Sequence, residues 1–168
     1  LVPDVAHVLV LYADVPLITQ QTLENLLDVA QGGTAVLVET LENPTGYGRV
    51  ISNQDGFVQA IVEQKDASEE QRAVKQINTG VITAQASQLK LWLSQLGNNN
   101  AQGEYYLTDI FAMAARDDNP ARIAPCLIAG EADGANDPVQ LATLERRYQS
   151  RIAQKLMLQG VRLADPAR

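Results

Sequence analysis

The sequence predicts an α/β domain with a mixed, mostly parallel sheet, and three observations carry that expectation. A continuous apolar run at residues 8–11 stops at Asp14 and Pro16, a helical stripe of Leu23, Leu26, Leu27 and Ala30 follows, and a β-branched run occupies 34–41. Unbroken Val/Leu runs suit strands covered on both faces, as parallel strands are. Strand, helix and strand in that order is the repeating unit of such a sheet, with a right-handed crossover. The 168 residues, 46% hydrophobic, suffice for one domain with a core.

Asp14 stands at the carboxyl end of the first strand, the edge where open α/β sheets bind ligands. Two readings stay open for it: a ligand-facing carboxylate, or a cap for the turn that Pro16 enforces. Thr19 is the expected N-cap of the first helix, which Gly32-Gly33 ends. In Glu42-Asn43-Pro44-Thr45-Gly46-Tyr47-Gly48-Arg49 two glycines flank a tyrosine. This loop either lets backbone amides approach a ligand or is an ordinary Pro/Gly turn. Residues 49–52 and 57–63 read as a hairpin through Asp55-Gly56. Alternation puts Glu63 on the face of Phe57 and Ile61, so its carboxylate needs a partner, for which a strand-end salt bridge is one answer.

Ser68 and Gln71 are spaced as a capping box for a short helix. Residues 76–83 read as a strand that carries Asn78 and Gly80 where larger apolar side chains are expected. Asn78 must therefore hydrogen-bond to neighbouring backbone or to a ligand. Leu89, Trp92, Leu93 and Leu96 form the stripe of a helix ending near Gly97. The amide-rich loop 98–106 enters a helix capped by Thr108, with Ile110, Phe111 and Ala114 as its apolar face. Residues 122–129 read as a further strand and 130–137 as the loop beyond it. Asp137 and Pro138 open a long helix whose face of Leu141, Leu144, Tyr148, Ile152 and Leu156 runs to Gly160.

Composition excludes several classes of function. A formal charge of −7 and a pI near 4.6 give a field of the wrong sign for nucleic acid. No span reaches membrane length and no signal peptide opens the chain, so no membrane partner is expected. The lone Cys126 reads as a core thiol in a reducing compartment, hence a cytoplasmic protein. His7, the single histidine, lies in the first strand. Ser/His/Asp and Cys/His arrangements and Cys/His zinc sites are thereby excluded, and no P-loop or GxGxxG occurs. Oxygen chemistry remains: Asp14 and Asn136, each in a loop after a strand, can together hold a hard cation such as Mg²⁺. The chain enters a strand within a few residues of Leu1, so further elements of the same domain are expected upstream.

Five motifs occur in order: Leu-Tyr-Ala-Asp-Val-Pro-Leu (11–17), Asn-Pro-Thr-Gly-Tyr-Gly-Arg (43–49), Ile-Val-Glu-Gln-Lys-Asp-Ala (61–67), Ile-Asn-Thr-Gly (77–80) and Asn-Asn-Asn-Ala-Gln-Gly-Glu-Tyr-Tyr-Leu-Thr-Asp (98–109). Together they resemble the uridyltransferase domain of the bacterial GlmU family, bifunctional N-acetylglucosamine-1-phosphate uridyltransferases and glucosamine-1-phosphate acetyltransferases. The tail at 161–168 resembles the link into that family's acetyltransferase domain. The resemblance implies a Rossmann-like nucleotide-diphospho-sugar transferase fold whose N-terminal part lies upstream of Leu1. Residues 1–160 would be the C-terminal portion of the nucleotidyltransferase domain. Residues 161–168 would begin the linker to a left-handed β-helix acetyltransferase domain, through which the family is trimeric.

The implied reaction transfers a uridylyl group from UTP to N-acetylglucosamine-1-phosphate, giving UDP-N-acetylglucosamine and pyrophosphate for peptidoglycan and lipopolysaccharide synthesis. It uses Mg²⁺ and no protein nucleophile, so catalysis rests on positioning. Carried over by position, Asp14 and Asn136 are the Mg²⁺ ligands, and Tyr12 and the backbone at Ala13 lie by the nucleotide. Gly48, Glu63 and Asn78 read the N-acetylglucosamine. Ala13 departs from the family's glycine and adds a methyl where backbone meets nucleotide. The family's Gly-rich loop, with its Lys and Arg for the triphosphate, lies upstream of Leu1, so this segment alone is expected to be inactive. The alternatives are another sugar-1-phosphate nucleotidyltransferase and a segment that only binds the sugar nucleotide.

Overall fold

Ala35 and Leu37 pack with Leu26 and Ala30, whereas Val36 and Val38 pack with Trp92 and Phe111. One strand thus feeds two cores on opposite faces of a sheet, as side-chain alternation requires. A computed structural model describes residues 2–167; Leu1, from which upstream elements were expected, and Arg168, the last residue of the expected linker, lie outside them. The elements are β1 (His7–Val10), α1 (Gln20–Ala30), β2 (Ala35–Thr40), β3 (Arg49–Ser52), β4 (Val58–Val62), α2 (Glu69–Arg72), β5 (Gln76–Gln85), α3 (Ala86–Leu93), α4 (Ile110–Arg116), β6 (Arg122–Pro125) and α5 (Pro138–Leu158).

The α/β class holds, but the sheet is mostly antiparallel and not mostly parallel as expected. The strand order is β4-β3-β5-β2-β6, with β1 also paired to β5. Among the described residues only β2 and β6 pair parallel; β1–β5, β2–β5, β3–β4 and β3–β5 are antiparallel. β1 and β2 run the same way, as the strand-helix-strand reading requires, but β5 lies between them in the opposite sense. The reason for the error is physical. A continuous apolar run reports that both faces of a strand are covered, here by α1 on one side and α3 and α4 on the other. Coverage says nothing of the direction of the neighbouring strand.

The local signals act largely as read. Thr19 caps α1 by accepting from the Thr22 amide, and Gln31 with Gly32, both at positive φ, end it. Ser68 and Gln71 form a capping box at α2. Asn53 Oδ1 accepts from the Asp55 and Phe57 amides, and Gly56 takes positive φ, closing the β3–β4 hairpin. Asp137 caps α5, accepting from the Val139 and Gln140 amides at 2.8 Å each. The expected apolar face of α5 is only partly used: Leu144 is buried, but Leu141, Tyr148, Ile152 and Leu156 are exposed. Cys126, the residue after β6, is half-buried, and burial first, then the nearby carboxylates of Glu39, Glu131 and Asp133, pushes its thiol up to about 12.

β6 stops four residues short of the expected Ala129. The amides of Leu127 and Ile128 leave the ladder and donate to the carboxylate of the fully buried Glu131 at 2.8 and 3.0 Å. Burial pushes this carboxyl up, but hydrogen bonds from Thr22, Ile128 and Thr19 outweigh it and hold it below the usual glutamate range. A depressed value in the fold means that Glu131 contributes its full stability above the ordinary glutamate range. That stability is lost as pH falls through the lowered value. Thermal unfolding followed against pH is expected to steepen its decline there, and Glu131→Gln is expected to flatten it. An unchanged acid limb in the variant would contradict this account.

Candidate functional site

Six separate segments converge on one cleft of about 620 Å³ at the end of β1, a volume in the range of small-ligand sites. Tyr12, Asp14, Gly48, Glu63, Asn78 and Asn136, six of the seven residues expected from sequence, line it. Ala13 does not; with Asp14, Asn136 and Pro138 it borders an adjoining hollow of about 390 Å³. Asp14 and Asn136 therefore stand on the rim shared by both. The two loops that carry them touch, since the Ala135 amide donates to the Asp14 carbonyl at 2.9 Å. Gly134 lies against this contact, and a Cβ there would sit 3.7 Å from Asp14 Oδ2. Among the described residues the Asp14 side chain does not cap the turn, which the Val15 amide closes on the Tyr12 carbonyl at 3.2 Å, and its carboxylate is exposed at the rim of the cleft.

The Gly-Tyr-Gly loop is fastened from below. The guanidinium of the buried Arg49 donates to the Tyr47 carbonyl and, at 2.7 Å, to Gln64 Oε1, which also accepts from the Gly46 amide at 3.3 Å. The Gly48 carbonyl accepts from the Asn78 amide at 2.9 Å, joining the loop to β5. A Cβ on Gly48 would lie 3.3 Å from both carboxylate oxygens of Glu63. The bare glycine therefore leaves that carboxylate reachable from the cleft. Burial first, then the negative charges of Asp133 and Glu39, holds the Tyr47 phenol above its ordinary value, so it stays a neutral donor.

Glu63 lies one residue past β4 and finds its partner in the Thr108 hydroxyl, which donates to Oε1 at 3.1 Å, not in a salt bridge. Thr108 is consequently not the helix cap that its position suggests; it sits in a 3-10 turn before α4, which has no side-chain cap. The amide-rich loop is tied down beside it. Lys65 donates to Gln102, Gln102 donates to the Tyr106 hydroxyl, and the Ala101 amide donates to Asp66. Asn78 Oδ1 accepts from the Gly80 amide at 2.9 Å, the backbone alternative, while its Nδ2 has no protein partner among the described residues. Burial and then the Asp66 charge raise the Asp109 carboxyl behind this wall.

Two contributors were not read from sequence. Gly80 has φ +81°, and a Cβ there would fall 1.8 Å from Cε2 of Tyr12, so the tyrosine ring is seated on the bare backbone of β5. The oddity of a glycine in a core strand was visible; the ring it receives was not. Thr108 carried a signal that named another role.

The donor set bears on a metal ion. Among the described residues no group of three or more His, Cys, Asp or Glu side chains is placed to cage a cation. The cleft lining holds the carboxylates of Asp14 and Glu63 and no lysine or arginine. Phosphate oxygens entering this cleft would meet negative charge alone. One carboxylate and one amide oxygen at the rim fit a Mg²⁺ ion that keeps waters and takes its remaining ligands from substrate phosphates.

No protein-family model matches the chain. It is 58% identical over 167 residues to the bifunctional protein GlmU of Xanthomonas campestris pv. campestris (strain B100), covering 99% of this chain and 37% of that protein. It is 57% identical over 167 residues to the bifunctional protein GlmU of Stenotrophomonas maltophilia (strain K279a), covering 99% and 36%. The chain thus spans a little over a third of the length of the curated relatives it matches. A solved Bacillus anthracis structure, named for a glucose-1-phosphate thymidylyltransferase, superposes with a TM-score of 0.45 at 19% identity, over 63% of this chain and 39% of that one. That likeness is too slight to bear on function. Among the described residues no helix is long and apolar enough to cross a membrane.

Proposed function

The chain belongs to the GlmU family as a segment of it, and from that premise we propose that it is part of a uridyltransferase acting on N-acetylglucosamine-1-phosphate. The observation that carries this reading is the convergence of Tyr12, Asp14, Gly48, Glu63, Asn78 and Asn136 on one cleft from distant parts of the chain. In the proposed reaction the phosphate oxygen of the sugar phosphate bonds to the α-phosphorus of UTP, the bond from that phosphorus to the bridging oxygen breaks, and pyrophosphate leaves. UDP-N-acetylglucosamine is the product. Residues 1–160 correspond to the later part of that domain and 161–168 to the start of a linker, in a cytoplasmic protein that is trimeric through another domain.

The chain's own groups bind and orient. Glu63, with one oxygen taken by Thr108, has the other for a sugar hydroxyl, and Asn78 has its amide donor for an acetamido carbonyl. Gly48 keeps the approach to Glu63 open, and Tyr12 with the backbone at Ala13 borders the nucleotide. Asp14 and Asn136 would hold Mg²⁺, which supplies charge neutralisation to the phosphate oxygens. With reactants so held, the sugar phosphate attacks directly and no protein nucleophile is needed.

A thermal-shift titration tests the reading. UDP-N-acetylglucosamine with Mg²⁺ is expected to raise the melting temperature, by the equivalent of about 2.7 kcal/mol at a hundredfold excess over Kd. Asp14→Asn is expected to remove the Mg²⁺-dependent part. No response in the parent chain, the same response in the variant, or a larger one to another nucleotide sugar would each defeat the assignment. Pyrophosphate release from UTP and N-acetylglucosamine-1-phosphate by the full-length protein checks the chemistry.

A further inference from the structure

Glu131 is the one carboxylate in the described fold with a relative exposure of 0%, and it has no arginine or lysine partner. Five donors surround it. Oε1 accepts from the Thr22 hydroxyl at 2.6 Å and from the Leu127 and Ile128 amides at 2.8 and 3.0 Å. Oε2 accepts from the Thr19 amide and the Thr19 hydroxyl, both at 3.1 Å. One oxygen therefore holds its own turn, and through Thr22 the first turn of α1; the other holds the residue that caps α1. A buried anion so fully satisfied is costly to disturb, because each donor would be left unpaired.

The positions of these contacts along the chain matter. Thr19 follows Asp14 by five residues, and Glu131 precedes Asn136 by five. The two segments run past one another and meet twice, at Thr19 with Glu131 and at Asp14 with Ala135, whose amide donates to the Asp14 carbonyl at 2.9 Å. Ala132, between them, is buried and lines the cleft. Beyond this frame Asn136 is held from the other side, its amide donating to Gln140 Oε1 at 2.7 Å. We propose that Glu131 is a positioning residue that locks the Asn136 loop to the Asp14 turn and so sets the separation of these two side chains. Its consequence for Mg²⁺ rests on the function proposed above; the lock itself does not.

Glu131→Gln is the informative change because it keeps shape and spoils one side. An amide placed with its oxygen toward the three donors of Thr22, Leu127 and Ile128 turns its NH₂ toward the Thr19 amide, donor against donor. The turn and its contact with Thr22 survive, and the acceptor that joins the turn to the Thr19 amide is lost. Hydrogen exchange of the Ala135 amide, relative to Val36 and Leu37 in β2, is expected to accelerate about tenfold, the scale of one lost hydrogen bond to a charged group. In calorimetry with UDP-N-acetylglucosamine at low temperature, where the variant is folded, the half-saturating Mg²⁺ concentration is expected to rise by a similar factor.

Thr22→Val and Thr22→Ser decide the matter if Glu131→Gln does not fold. Valine removes the hydroxyl and is expected to shift both readouts in the same direction, whereas serine restores the donor and is expected to restore both. A lower melting temperature with unchanged relative exchange at Ala135 would overturn the proposal and leave Glu131 a stabilising residue only. Faster exchange with an unchanged Mg²⁺ requirement would overturn its role in spacing the pair. If the parent chain shows no Mg²⁺-dependent binding, the proposed function fails, and the exchange measurement still decides whether the lock exists.

Discussion

Trp92→Ala is expected to cost about 3–5 kcal/mol of stability, the range for removing a buried aromatic without refilling its space. The indole has no exposed surface and lies in the core cluster with Val36, Phe111 and Ala114, where α3 and α4 meet one face of the sheet. Its Nε1 also donates to Asp117 Oδ2 at 3.0 Å at the end of α4. Arg116 still pairs with Asp117 in the variant, so the loss is chiefly one of packing. For a domain of this size the melting temperature should fall by roughly 10 °C or more. The loop 98–108, which supplies Thr108 and one wall of the cleft, hangs between α3 and α4 and should loosen with them. Calorimetry gives the first effect and ligand titration the second; a cost under about 1 kcal/mol would mean that the cluster refills the space.

Gly80→Ala is expected to harm both fold and cleft. A residue with a Cβ at this left-handed position costs about 1–2 kcal/mol, and the new methyl would overlap the Tyr12 ring, at 1.8 Å from Cε2. The half-exposed ring can swing outward, so the overlap becomes displacement of a cleft wall. A drop of about 3–8 °C in melting temperature and movement of the Tyr12 ring resonances are the expected readings. The double variant with Tyr12→Ala separates the two causes, because it relieves the overlap and leaves the backbone cost. Strictly additive effects would show that the ring contact is not what Gly80 serves.

Much of the local structure was legible because its causes are local. Thr19, Ser68 with Gln71, and Asp137 with Pro138 cap helices through atoms two or three residues away, and Asp55-Gly56 closes a hairpin the same way. The candidate site residues came from a different source: five motifs in a fixed order resemble a known family, and six of the seven residues carried over line one cleft. Physics alone had left Asp14, Glu63 and Asn78 with two readings each. The misread elements share a cause. The expected reach of β6 to Ala129 fails because Glu131, itself unremarked, takes the amides of Leu127 and Ile128. Thr108 fails as a cap because Glu63 takes its hydroxyl.

By itself the sequence determined the α/β class, most element boundaries to within a few residues, and a set of polar residues at loop positions after strands. Those follow from periodicity, caps and turn chemistry, which act over a few residues. Only the tertiary structure decided that the sheet is mostly antiparallel, that Tyr12 rests on Gly80, that Thr108 serves Glu63, and that Glu131 joins two loops more than a hundred residues apart in the chain. Each depends on which distant backbone or hydroxyl a group meets. Burial and hydrogen-bond demand announce in the sequence that a partner must exist, but the partner's identity is fixed only when the chain is packed.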